Sequence, residues 1–357
     1  MTTTEFPVFD GHNDVLLDLY DRERGGGRNF FTRAERGHID LPRAREGGFG
    51  GGFFAVYVPA TPAQHRMPGF ETVHTELGYE TPMALELDQT YAQSTAMAIT
   101  ASLFRIEDES KGQVKVVRTA DELQMCLDNG TLAAVLHFEG AEPIDPDLDA
   151  LYVFHRAGLR SLGLVWSRPN IFAQGVPFRF PHAPDTGPGL TDLGKKLVSA
   201  CNHLRVMIDL AHLNEKGFWD VAALSDAPLV ATHTAAHALS PSTRNLTDRQ
   251  LDAIKGSDGM VGVNFNVRDL RADGKSETDT PLTEIVRHVD YLAERIGIDR
   301  VGFGSDFDGA TMSKHLGDVS GLRRVVDAFR EAGYDDDTLR KITHGNWVRV
   351  LRKTWGE

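Results

Sequence analysis

The chain has 357 residues, 41% of them hydrophobic, and a formal charge of −13. Such a length and composition suit a globular fold, and no run approaches the roughly 18 consecutive apolar residues of a membrane span. The negative charge argues against nucleic acid or an anionic membrane as partner, but it favours cations.

The first expected strand is "PVFDGHND" (7–14). Side chains alternate along a strand, so Asp10, His12 and Asp14 share one face if the stretch stays extended. The preceding "MTTTEF" has neither the basic start nor the apolar core of a secretory leader. The second strand, "GGFFAVYVP" (51–59), is entered through "GGFGGGFF" (47–54), which lacks the spacing of a dinucleotide-binding fingerprint. A long connection (60–86) leads to a helical pattern over 87–106.

Strands three and four are "LAAVLHFEG" (132–140) and "LRSLGLVW" (159–166). The segment after the fourth (167–189) holds five of the sixteen prolines, so it is stiff and irregular. Helical spacing returns over 190–204, followed by "VMIDLAH" (206–212), "PLVATHT" (228–234) and "MVGVNFN" (260–266). A helix over 282–297 precedes the eighth strand, "RVGFGSDFDG" (300–309).

Eight strands alternating with helices imply parallel pairing through right-handed crossovers. The expectation is an α/β fold, a (β/α)8 TIM barrel forming one domain over 1–357, with loop insertions after strands 2 and 4. Both insertions then lie on the C-terminal face, where barrel active sites are built. Cys126 and Cys201 form no CxxC pair or disulfide framework, which fits a reducing, cytoplasmic setting.

Unusual residues gather at the C-terminal ends of these strands: His12 and Asp14, Glu139, His212, His233 and Asp306. A lone histidine at a strand end is usually a packed core residue. Six such groups on one rim form a set of imidazole and carboxylate donors suited to zinc or a similar divalent ion. Charge balance favours two divalent ions, which together can share a carboxylate and a water-derived nucleophile. The chain has no H-E-x-x-H, G-x-S-x-G or phosphate-loop motif.

Other tempting residues receive plainer readings. Asp10 supports the first-strand turn or the metal surroundings, and His137 lies one layer deeper than Glu139 as a packed or supporting residue. His237 reads as solvated or facing substrate. Asp308 follows Asp306 by two and so shares its face, a competitor for the same role. "NLT" at Asn245 would matter as a glycosylation site only in a secreted protein.

"GHNDV", "FEG", "DLAH", "THT" and "GSDFDG", in that order, resemble the membrane (renal-type) dipeptidases, metallopeptidase family M19, related to the amidohydrolases. The resemblance runs from residue 8 to the closing "HGNWVRVL" (344–351). It implies a binuclear zinc barrel that hydrolyses dipeptides, L-Xaa-L-Xaa and L-Xaa-D-Xaa, through a hydroxide bridging the two metals. His12 and Asp14 would hold one ion, Glu139 would bridge, and His212 with His233 would hold the second. Asp306 would orient the nucleophilic water and carry its proton to the leaving amine. Arg244 would grip the substrate's terminal carboxylate; read without the family it is an ordinary surface ion-pair residue as readily. Small dipeptides would then be the partners, with no nucleic acid or membrane, and the family's fold commonly pairs into homodimers.

One position departs from the family pattern. Trp166 stands where studied members carry a substrate-binding histidine just after the fourth strand. An indole donates one hydrogen bond but cannot become a cation. The partner of the developing oxyanion is therefore open among Trp166, Arg168, His182 and the metal alone. Two other readings compete: a binuclear-metal lactonase or phosphoesterase-like hydrolase, and a non-catalytic binding barrel.

Overall fold

The computed structural model describes residues 6–21 and 27–356. The residues 1–5 used to argue against a leader thus lie outside the described ones. The eight expected strands form as β1 (Val8–Asn13), β2 (Phe49–Tyr57), β3 (Leu132–Glu139), β4 (Leu159–Gly163), β5 (Met207–Asp209), β6 (Val230–Thr234), β7 (Met260–Val263) and β8 (Val301–Phe303). They pair in parallel and in chain order. A parallel bridge from Asn13 to Phe307 brings the last strand round to the first. The result is a nearly closed TIM barrel, with a short extra strand, Val114–Val116, beside β3.

Continuous apolar runs make these strands because both faces are covered: every residue of β3 is buried, between the barrel interior and the helices outside. Several helices start where side chains can take the unpaired N–H groups of a first turn. Asp88 accepts from Tyr91, Thr191 from Gly194 and Asn214 from Gly217. The helices expected over 87–106, 190–204 and 282–297 occupy Gln89–Glu109, Asp192–Leu204 and Thr283–Ile296.

The N-terminal end of the barrel is plugged by Trp347, from the helix Asn346–Trp355, packed on Phe9 and Phe53. Its indole donates to the Phe303 carbonyl at 3.0 Å. Gly11 makes room for it, since a Cβ there would meet the Thr232 carbonyl and the Trp347 ring. With the lower end filled, the open end lies at the strands' C-termini. There the two long connections meet: in the first, Val73–His74 pairs antiparallel with Tyr79–Glu80, whose other edge pairs antiparallel with Arg179–Phe180 from the second. No helix among the described residues is long and apolar enough to cross a membrane.

Candidate metal centre

The six strand-end residues converge. His12, Glu139 and His233 offer atoms within 4.8 Å of one another, and so do His12, Asp14 and Asp306, so the two groups share His12. Glu139 sits centrally: its Oε1 lies 3.0 Å from His212 Nε2 and 3.5 Å from His233 Nε2, and its Oε2 lies 3.7 Å from His12 Nε2. Asp14 Oδ2 is 3.6 Å from His12 Nε2. His212 and Asp306 hold their side chains in place through positive φ angles of 65° and 63°. Such conformations cost non-glycine residues energy and cluster at functional sites.

A layer of hydroxyls and carboxylates lies beneath. Thr232 gives its proton to Asp209 Oδ2 at 2.6 Å, so its oxygen can only accept from His233 Nδ1, 2.9 Å away. That leaves the Nε2 lone pair of His233 facing the cluster. Ser167 stands 2.8 Å from His212 Nδ1. His137 is buried one layer down, with Ser161 at 2.8 Å and Asp209 at 3.7 Å, and takes no part in either metal-competent group. Asp10 accepts from the Ser305 amide and hydroxyl, tying β1 to the turn after β8.

The donor set fits divalent cations. Burial, then Arg244 and His12, hold His212 well below the usual imidazole range, and burial with His12 does the same to His233. Their Nε2 atoms stand 3.1 Å apart, so the two neutral rings turn the same nitrogen toward one point, where a cation could be held. Burial opposes a proton on His12, but Glu139, Asp14 and Asp306 overcome it and raise that imidazole to about 10. The cluster therefore calls for positive charge at its centre. Both ring nitrogens of His12 and Asp14 Oδ1 have no hydrogen-bond partner. Gly309 keeps the space beside them open, because a Cβ there would collide with Asp14 Oδ2 and Asp306 Oδ1.

A cavity of about 170 Å3 opens over the cluster, lined by Asp14, Glu139, His212 and Asp306 together with Arg244 and Trp166. Arg244 is buried, its Nη2 donating to the His233 carbonyl at 3.2 Å. Trp166 is half-buried at the wall, 5.9 Å from the His212 ring. Of the other oxyanion candidates, His182 is exposed with Nδ1 at 2.6 Å from the Ala183 carbonyl, and Arg168 packs behind Trp166.

Asp308 does not share the face of Asp306. The strand ends at Phe303, both aspartates sit in a turn at positive φ, and Asp308 faces His38 and Arg28 instead. His237 is half-buried, its ring nitrogen 3.1 Å from the His182 carbonyl. Sequence reasoning missed Asn264, which donates to Asp306 Oδ2 at 3.0 Å, along with Ser167, Thr232 and Gly309. Asn264, at the end of the expected seventh strand next to the eighth, carried a usable signal: it is the first polar residue after the apolar run Met260–Val263.

The model of one family, membrane dipeptidase (peptidase family M19), matches residues 2–355. The chain belongs to that family. As an M19 protein it is a metallo-dipeptidase-type hydrolase, dependent on divalent metal. A metallopeptidase from Rhodobacter sphaeroides, solved with a phosphinate mimic of the dipeptide L-Ala-D-Ala, is 50% identical; the match covers 98% of this chain and 99% of that one, with a TM-score of 0.91. An uncharacterized protein in the pqqA 5' region of Klebsiella pneumoniae is 48% identical over 71% of this chain and 94% of its own length. The dipeptidase ataJ of Aspergillus terreus is 30% identical over 97% of this chain and 84% of its own.

Proposed function

We propose that the chain hydrolyses dipeptides with two divalent ions, zinc in the first instance, held between His12 and Asp14 on one side and His212 and His233 on the other, with Glu139 shared. The observation that carries this reading is the pair of donor groups meeting at His12, with a buried arginine on the same cavity. Bound there, divalent ions would lower the pKa of a water and polarise the scissile carbonyl.

The protein's own groups do the rest. Arg244 presents a guanidinium fork to the substrate's C-terminal carboxylate and so fixes the register of a two-residue substrate. Asp306 takes the proton of the attacking water and passes it to the departing amine. Burial raises its carboxyl to about 6 against the pull of His12, which suits a group that must hold and then release a proton near neutral pH. Asn264 fixes the carboxylate by donating to Oδ2. Trp166 lines the same cavity and offers one indole N–H to the substrate. The same metals would serve an ester or lactone, and Arg244 is what favours the dipeptide. Two buried, unbridged cysteines accord with work in a reducing cytoplasm.

The test is hydrolysis of a mixed L,L- and L,D-dipeptide library, read by mass spectrometry, with zinc-loaded and metal-stripped protein side by side. Metal-dependent loss of particular dipeptides is expected. Survival of every dipeptide with the loaded protein would overturn the reading and bring lactones and phosphoesters forward.

A further inference from the structure

Neither metal-competent group includes Asp308, yet it sits two residues beyond Asp306 in the same turn. The turn is a demanding one: Asp306 and Asp308 hold φ angles of 63° and 67°. Non-glycine residues keep such conformations where their surroundings over-determine them. Whatever holds this turn therefore decides where the Asp306 carboxylate lies.

The inner half of the turn is tied to β1. The Asp306 amide donates to the His12 carbonyl at 3.0 Å, and the Asp14 amide donates to the Phe307 carbonyl at 2.8 Å. The outer half is tied to His38, in the connection between β1 and β2. The Asp308 amide donates to His38 Nδ1 at 2.8 Å, and the His38 amide donates back to Asp308 Oδ1. These two bonds form a closed clasp between the residues. The imidazole also packs on the Phe307 ring, with centroids 5.7 Å apart, so it touches both residues that follow Asp306.

The clasp stands on a fixed base. On one side of His38 the Gly37 carbonyl accepts from Arg43 Nη1 at 2.7 Å, and on the other the Ile39 carbonyl accepts from Arg28 Nη1 at 2.9 Å. Arg43 is buried and is itself held by Asp40 at 2.7 Å and Asp318 at 2.9 Å. Two guanidinium groups thus fix the backbone on either side of the imidazole. His38 and Asp308 line an outer groove that shares Gly309 and Ala310 with the catalytic cavity. The clasp therefore closes the turn on its solvent side, where β1 does not reach it.

We propose that His38 is a positioning residue of the reaction: by clasping Asp308 it holds the Asp306 carboxylate in place over the metal cluster. Asp308 then serves through its shape, as one donor and one acceptor, and not as a second carrier of the proton. The proposal rests on the dipeptidase reading above and on the proton path it gives to Asp306. Small displacements of a reacting group are costly, so a loosened turn slows turnover without weakening substrate binding to match.

The experiment compares His38→Asn with His38→Gln, and Asp308→Asn with Asp306→Asn, in the zinc-loaded enzyme on the fastest-cleaved dipeptide of the mixed library. An Asn side chain puts its amide oxygen where Nδ1 stands and can accept from the Asp308 amide; Gln carries the same group one methylene too far. His38→Gln is expected to lower kcat roughly 10- to 100-fold, with KM changed less than about 3-fold and metal content constant, while His38→Asn keeps most of the activity. Asp308→Asn still accepts from the His38 amide and is expected to stay within about 3-fold of the wild-type kcat, where Asp306→Asn does not. A Gln variant with wild-type kcat, whatever its melting temperature, overturns the positioning role, and so does an Asn variant as slow as Gln or a loss of metal along with activity. An Asp308→Asn enzyme as slow as Asp306→Asn overturns it too, by making Asp308 a proton carrier. If the Gln variant does not fold, the two aspartate variants carry the test. Each of these results leaves the dipeptidase reading intact, whereas a wild type that cleaves no dipeptide overturns both.

Discussion

Thr232 Oγ1 lies 2.9 Å from His233 Nδ1 while giving its own proton to Asp209 at 2.6 Å. The hydroxyl has one proton, so this geometry selects the His233 tautomer that leaves Nε2 free for a metal. Thr232→Val keeps the shape and removes the acceptor. Metal affinity is expected to fall about 10- to 100-fold, measured by competition with a chromophoric chelator. Unchanged affinity would mean that the tautomer is set elsewhere.

Asp306→Asn replaces the proton acceptor with a group of the same size that cannot take a proton. Metal content is expected to stay constant, because His12, Asp14, Glu139, His212 and His233 remain. The loss in kcat is expected to be roughly 10²- to 10⁴-fold. Steady-state kinetics beside metal analysis checks both halves, and an active Asn variant would remove Asp306 from the proton path.

These two residues mark how far the sequence could be read. Asp306 was legible because barrel strands deliver their last residues to one rim, so marking strand ends marked the site. The support from Asp209 to Thr232 depends on how β5 and β6 lie against each other, which composition does not encode. The expected period of two failed at Asp308 for a local reason: the chain leaves the strand at Phe303 and turns through positive φ at Asp306 and Asp308. The two long connections were visible as long, proline-bearing segments. Their pairing was not, because Tyr79–Glu80 and Arg179–Phe180 are two-residue strands, too short for any alternating pattern.

Arg244 offers a direct test of substrate register. Its side chain is buried at the wall of the catalytic cavity. A charge-assisted hydrogen bond to a carboxylate contributes about 1.5–3 kcal/mol, so Arg244→Met is expected to raise KM by roughly 10- to 100-fold. A dipeptide amide, which lacks the carboxylate, should show little difference between wild type and variant. Equal losses on acid and amide would mean that Arg244 supports the fold around His233 instead.

His288 governs part of the acid stability. Its Nδ1 accepts from the Ala236 amide at 3.1 Å and its Nε2 donates to the Leu270 carbonyl at 2.9 Å, which requires the neutral ring. Burial is the main cause that lowers it from 6.5 to about 4. The unfolded chain therefore binds this proton at a higher pH than the folded one. Stability from this group is complete above pH 6.5 and is lost as pH falls toward 4, by roughly 3 kcal/mol in all. His288→Gln keeps one of the two bonds and does not titrate. It is expected to be less stable than wild type at pH 7.5, with the gap closing as pH falls toward 4. Urea unfolding of both proteins across that range measures the gap, and a constant gap would show that His288 stays neutral for reasons unconnected with folding.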